Sequence, residues 1–164
     1  MSEPPAAAAE PLPGIAIAER VRALDANTLS EVLEFRGEVT LVVPREHLRR
    51  VCTFLQSEPD LEFNLLSDLS AQDRFPLEPR FEVNYHLLSI RTRQTVRVRV
   101  RVHGSDPQLD SVTAIWPTAE WHEREVFDLF GVRFAGNRDL RRIFMPENWE
   151  GHPLRKDYPV EGFR

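Results

Sequence analysis

The chain has 164 residues, 41% of them hydrophobic and 29% charged, with a formal net charge of −5. That suffices for one buried core and supplies no basic field toward nucleic acid or an anionic membrane. No stretch approaches the ~18 consecutive apolar residues of a membrane-spanning helix, and the opening MSEPPAAAAEPLPG carries acids and prolines where a secretion signal has basic and apolar residues. The expectation is a protein made and kept in the cytoplasm. Cys52 is the sole cysteine, which excludes an intrachain disulfide, a four-thiolate iron–sulfur cluster and a cysteine-rich zinc site on this chain alone.

Residues 1–14 contain four of the thirteen prolines and an alanine run, and read as a disordered leader. The spacing of Ile15, Ala18, Val21 and Leu24 predicts a first helix over 15–26. Two strands follow around 32–35 and 39–43, divided by Gly37. Pro44 then opens a helix over 45–55 that turns Leu48, Val51, Cys52 and Leu55 to one side. A buried Cys52 there acts as a small hydrophobe.

A short strand is expected at 63–66, and a longer one at 81–90, where Phe81, Val83, Tyr85 and Leu87 alternate with Glu82, Asn84 and His86. After a turn near 92–94, Val96, Val98, Val100 and Val102 alternate with Arg97, Arg99 and Arg101 in the clearest strand of the chain. One more strand is expected at 112–116. The pattern predicts an α+β domain over 15–134, with an antiparallel or mixed sheet packed by helices. Residues 135–164 form an extended, partner-binding tail: prolines and glycines break any periodicity, yet the segment is too aromatic for a free coil.

The helix expected at 118–130 begins with Thr118 as N-cap and ends at Gly131. Ala119, Val126, Phe127, Leu129 and Phe130 form its apolar face, while Glu120, Arg124 and Asp128 form a surface ladder on the opposite side. Glu123 falls on the apolar arc, where an unpaired carboxylate is costly, so it should find a cation among residues 138–142. Two readings stay open for it: a structural ion pair, or part of a charged joint with another subunit.

His122-Glu123 has no histidine at position 126, which removes the zinc-protease reading. Arginines 91, 93, 97, 99 and 101 line one sheet face, but stacking aromatics are missing there, so a solvated or partner-facing surface is expected and no nucleic acid. Neither a GxGxxG, a GKS/GKT loop nor a GxSxG turn occurs.

Two stretches are more particular than composition explains: EREVFDLFGVRFAG (123–136), leading into DLRRI (139–143), and MPENWEGHPLRKDYP (145–159). Together they resemble the signature and C-terminal tail of the 30-kDa subunit of complex I, known in bacteria as the C-type subunit. RFEVNYHLLS (80–89) and WPTAEW (116–121) are similar to the same family. Departures stand at Asn137-Arg138, Phe144 and Asn148, where the family usually has His-Pro, often Leu, and Asp; they argue against a role for a histidine at 137.

The resemblance implies a cofactor-free, peripheral-arm subunit of the proton-translocating NADH:quinone oxidoreductase, with FMN and Fe-S clusters on partner subunits and no catalytic residue on this chain. The implied partners are the quinone-site subunit (the 49-kDa, or D-type, protein) and the Fe-S cluster subunits. The implied location is the cytoplasmic side of the bacterial plasma membrane, touching the membrane only through the complex. An equivalent subunit of a membrane-bound hydrogenase or another quinone-reducing complex is the alternative. Glu123, Asp128, Arg141, Arg142, Trp149, Arg155 and Tyr158 are the expected interface or joint residues. A stand-alone enzyme using Glu123 and Asp128 for acid–base work is the third reading.

Overall fold

The computed structural model describes residues 12–162. Of the expected leader, residues 1–11 lie outside the described residues, and Gly14 already belongs to the first helix. The elements run α1 (Gly14–Arg22), β1 (Glu31–Phe35), β2 (Glu38–Val42), a 3-10 turn (Arg45–His47) into α2 (Leu48–Ser57), β3 (Leu65–Asp73), β4 (Phe81–Ser89), β5 (Gln94–Val102), β6 (Gln108–Asp110), α3 (Ala119–Phe130) and β7 (Arg133–Ala135).

Strands β1 to β5 form one mixed sheet in the order β1-β2-β5-β4-β3, in which β2 and β5 run parallel and the other neighbours antiparallel. The α+β expectation is met. The period-two pattern sorts the sheet faces. Valines 96, 98, 100 and 102, with Phe81, Val83, Tyr85 and Leu87, join residues of α1, α2 and α3 in one buried cluster. On the other face the arginine stripe is neutralised across the strands: Arg97 bonds Glu38 at 3.0 Å, while Arg99 and Arg101 meet Glu82 at 3.0 and 2.9 Å. In the turn before β5, Arg91 pairs with Glu62 at 2.7 Å.

Three expectations need correcting. The short strand at 63–66 is instead the nine-residue edge strand β3, from Leu65. A register shift between Leu66 and Asp68 breaks its alternation, and polar residues fill its outer face, so the sequence hides its length. Residues 112–116 are no strand: Ile115 and Trp116 both donate to the Val112 carbonyl at 2.9 Å, a helical turn that buries Val112 and Trp116 together. The strand there is β6, too short to show a period, paired in parallel with β7. The first helix stops at Arg22, and its expected extension to 26 is turn.

Candidate docking surface along the third helix

Helix α3 organises everything that follows it in the chain. Thr118 precedes it but makes no side-chain cap, contrary to expectation, because its backbone is already helical at φ −59°, ψ −24°. Gly131 ends the helix as expected, in the left-handed region at φ +74°. Glycine is required there twice over, since a Cβ would stand 2.5 Å from Arg155 Nη2 and from the His152 ring.

The ladder expected on the solvent side does not exist. Arg124 and Asp128 are buried, and the tail lies over them. Arg124 donates to the carbonyls of Arg141 and Arg142 at 3.2 and 3.1 Å, and its guanidinium stacks on the Trp121 ring. A helical wheel cannot reveal that a later segment of the same chain covers the polar side.

Asp128 is the centre of the joint. Its Oδ2 accepts the consecutive backbone N–H groups of Ile143, Phe144 and Met145 at 3.0, 2.8 and 2.8 Å, and Arg142 Nη1 donates to Oδ1 at 2.6 Å. Burial works against the charged form, but these four donors outweigh it and hold the carboxyl below its ordinary pKa. The other nitrogen of the fork, Arg142 Nη2, donates to the carbonyls of Trp149 and Gly151 at 2.8 and 3.0 Å. One arginine thus ties the helix to both limbs of a loop.

The end of α3 is tied down by the next residues. His152 Nδ1 donates to the Asp128 carbonyl at 2.9 Å, and the Leu154 N–H donates to the Leu129 carbonyl at 3.0 Å. Arg155 Nε donates to the Phe130 carbonyl at 2.6 Å. These carbonyls are the ones a helix leaves without partners at its C-terminus. Burial, with Arg155 and Arg142 pushing the same way, keeps the His152 ring below its ordinary pKa, so it donates as a neutral imidazole.

A second anchor lies where β3 turns into β4. Asp73 accepts from Arg80 Nε at 2.9 Å and Nη2 at 2.7 Å, and from the Lys156 N–H at 2.9 Å, while the same arginine reaches Asp157 at 2.6 Å. Burial opposes ionisation of Asp73, yet these donors lower its pKa to about 2. Sequence reasoning missed Asp73 and Arg80, which lie far from the tail in the chain.

With the backbone held this way, the large apolar side chains of the tail stay outside. Phe144 is 62% exposed, Leu154 51%, Trp149 39% and Ile143 37%, and Trp121 on the helix is 59% exposed. The pair Arg141-Arg142 divides: Arg142 is a buried tie, whereas Arg141 is exposed and its side chain bonds its neighbour Asp139, at 2.9 Å. Tyr158 closes the tail on itself, its hydroxyl donating to the Glu150 carbonyl at 3.3 Å.

Glu123 departs from expectation most. It is fully buried, and its partners are neutral: Val112 N–H on Oε1, and Ser111 Oγ and Asn137 Nδ2 on Oε2, each at 2.8 Å. None of the arginines 138, 141 and 142 reaches it; Arg142 is committed to Asp128 and Arg141 to Asp139. Burial raises its pKa, and the three hydrogen bonds only moderate that rise. Asn137, where a histidine had been discounted, is itself one of the three donors.

No helix among the described residues is long and apolar enough to cross a membrane, and no group of three or more histidine, cysteine or acidic residues among them is arranged to hold a metal ion. Comparison with known proteins gives a consistent set. Residues 41–164 match the family described as "Respiratory-chain NADH dehydrogenase, 30 Kd subunit". A C-type subunit of the NADH-quinone oxidoreductase of Rhizobium etli, the second of that type in its naming, is 45% identical over 138 residues, 84% of this chain and 73% of that one. The C-type subunit of the same enzyme from a Roseiflexus species is 45% identical over 144 residues, 88% of this chain and 83% of that one.

Among solved structures, the trypsin-resistant fragment of Nqo5 superposes with a TM-score of 0.68 at 31% identity, covering 79% of this chain and 100% of the fragment. A chain of the membrane-bound sulfane sulfur reductase, an archaeal respiratory membrane complex, superposes at 0.71 with 26% identity, covering 90% of this chain and 86% of its own.

Proposed function

The chain belongs to the family of the 30-kDa subunit of respiratory-chain NADH dehydrogenase, and on that premise we propose that it docks neighbouring subunits of an NADH:quinone oxidoreductase and carries no redox centre itself. The observation behind the docking role is the construction of the tail. Its backbone is bonded to α3 through Asp128, Arg142 and Arg155, while Phe144, Trp149 and Leu154 remain exposed. Exposed aromatic and aliphatic anchors on a rigid support are what dominate interface energies.

In this reading FMN and the Fe-S clusters belong to the partners, and this chain fixes the spacing between them. The partners are the quinone-site subunit and the cluster-bearing subunits, and the whole sits on the cytoplasmic side of the bacterial plasma membrane. Asp128, Arg142 and Arg155 serve as joint residues that shape the surface; Trp149 presents it, and Tyr158 holds the end of the tail. Arg141, exposed beside Asp139, is placed to meet a partner. Purifying the tagged full chain from native membranes tests this. Quinone-site and Fe-S subunits should co-purify in an NADH-oxidising assembly, and a chain recovered alone from those membranes would refute it.

A second reading keeps the docking role and changes the machine. It is favoured by the likeness to a chain of the archaeal sulfane sulfur reductase. An assembly of the same architecture that fails to oxidise NADH would select it.

A further inference from the structure

Four carboxylates among the described residues are nearly or fully buried on strands and helices, and three of them have an arginine. Asp73 has Arg80 at 2.7 Å, Glu82 has Arg99 and Arg101 at 3.0 and 2.9 Å, and Asp128 has Arg142 at 2.6 Å. Glu123 is the exception, with no cation within ion-pair distance among the described residues. A buried carboxylate without a cation is costly to keep charged. The chain nevertheless builds a three-donor cradle for it.

A cleft of about 500 Å³ opens beside that cradle, lined by Thr113, Ala114, Pro117, Glu120, Asn137 and Arg138 among others. Two of its walls belong to the network around the carboxylate: Asn137 donates to Glu123 directly, and Thr113 Oγ1 lies 2.8 Å from the Ser111 hydroxyl that donates to it. Asn137 is only half-buried, so one amide group separates cleft from carboxylate. Glu120, one turn earlier on α3, adds a second negative charge to the lining. Arg138 is the one cation among the described residues of the wall, and it forms no ion pair with either glutamate.

We propose that this cleft receives a lysine or arginine side chain from a neighbouring subunit, which supplies the countercharge that Glu123 lacks within its own chain. The inference rests on the docking role proposed above and adds a second contact, at the opposite end of α3 from the apolar strip of the tail. Unmet charge at a buried site is a specificity device: a segment with a cation at that position gains, and one with an acidic or apolar residue does not.

The test measures binding of the full-length chain to the remaining peripheral-arm subunits, prepared from a strain lacking this chain. Glu123→Gln, which keeps the shape of the side chain and removes the charge, should weaken binding about tenfold or more. Ala114→Trp fills the cleft from its wall without touching the cradle, and should weaken binding comparably. Thermal unfolding confirms that each variant is folded; if Glu123→Gln is not, Ala114→Trp decides alone.

Wild-type affinity in the folded variants would overturn the cation proposal while leaving the docking role intact. A loss with Arg138→Ala equal to that with Glu123→Gln would reassign the cation to this chain, and so overturn it. Failure of the wild-type chain to bind at all would refute the docking role itself, and this proposal with it.

Discussion

Glu123 and Asp128 lie on the same helix, both with no exposed surface, and the chain treats them in opposite ways. Around Asp128 everything is closed. An arginine and three consecutive backbone N–H groups from the tail saturate it, and its pKa falls. Around Glu123 three neutral donors leave the charge unanswered, and its pKa rises. The C-terminal end of α3 is therefore an internal joint that positions the tail. The N-terminal end holds its carboxylate in waiting beside an open cleft. Burial alone does not tell a structural carboxylate from an unsatisfied one; the charge of its partners does.

Arg142→Ala should break the closed end most severely. It strands Asp128 without its cation and frees the loop limbs at Trp149 and Gly151, so a cost of roughly 3–5 kcal/mol is expected in urea unfolding. A smaller loss is expected from Gly131→Ala. It forces a side chain into the left-handed region and against Arg155 and His152, costing more than ~1 kcal/mol in stability, and hydrogen exchange should show the Leu154 N–H losing protection.

The open end should respond to pH rather than collapse. The folded-state pKa of Glu123 lies above its unfolded value of ~4.3, so the native state binds the extra proton and stability falls as pH rises from about 4 through the raised pKa. Glu123→Gln should flatten that decline in thermal midpoint. Asp73 has the reverse sign: its contribution is complete above its unfolded value of ~3.9 and is lost only as pH falls through about 2. Arg141→Ala should have the least effect, within ~0.5 kcal/mol, because its ion pair with Asp139 is solvent-exposed.

How much of this was legible in the sequence depended on whether the relevant contact was local. The valine–arginine alternation of β5, the apolar face of α2 and the Gly131 stop follow from periods and backbone rules, and the structure repeats them. The cation expected for Glu123 and the surface ladder of Arg124 and Asp128 both failed for one reason. Which arginine of the tail reaches which carboxylate is decided by how the tail folds back, and no helical period encodes that. The anchor at Asp73 and Arg80 bridges to Lys156 and Asp157, a contact spanning half the chain. Asn137 was noticed only as a departure from a pattern. Its chemistry as a neutral donor to a buried acid became visible once β7 was placed beside Ser111.

The most direct test of the docking account removes the apolar anchors and leaves the joint beneath them intact. Phe144→Ala combined with Leu154→Ala changes only exposed side chains, so the isolated chain should keep its thermal midpoint. In native membranes the doubly substituted chain should fail to enter the assembly, and NADH:quinone reductase activity should fall with it. A fully assembled, fully active complex containing that chain would contradict the account.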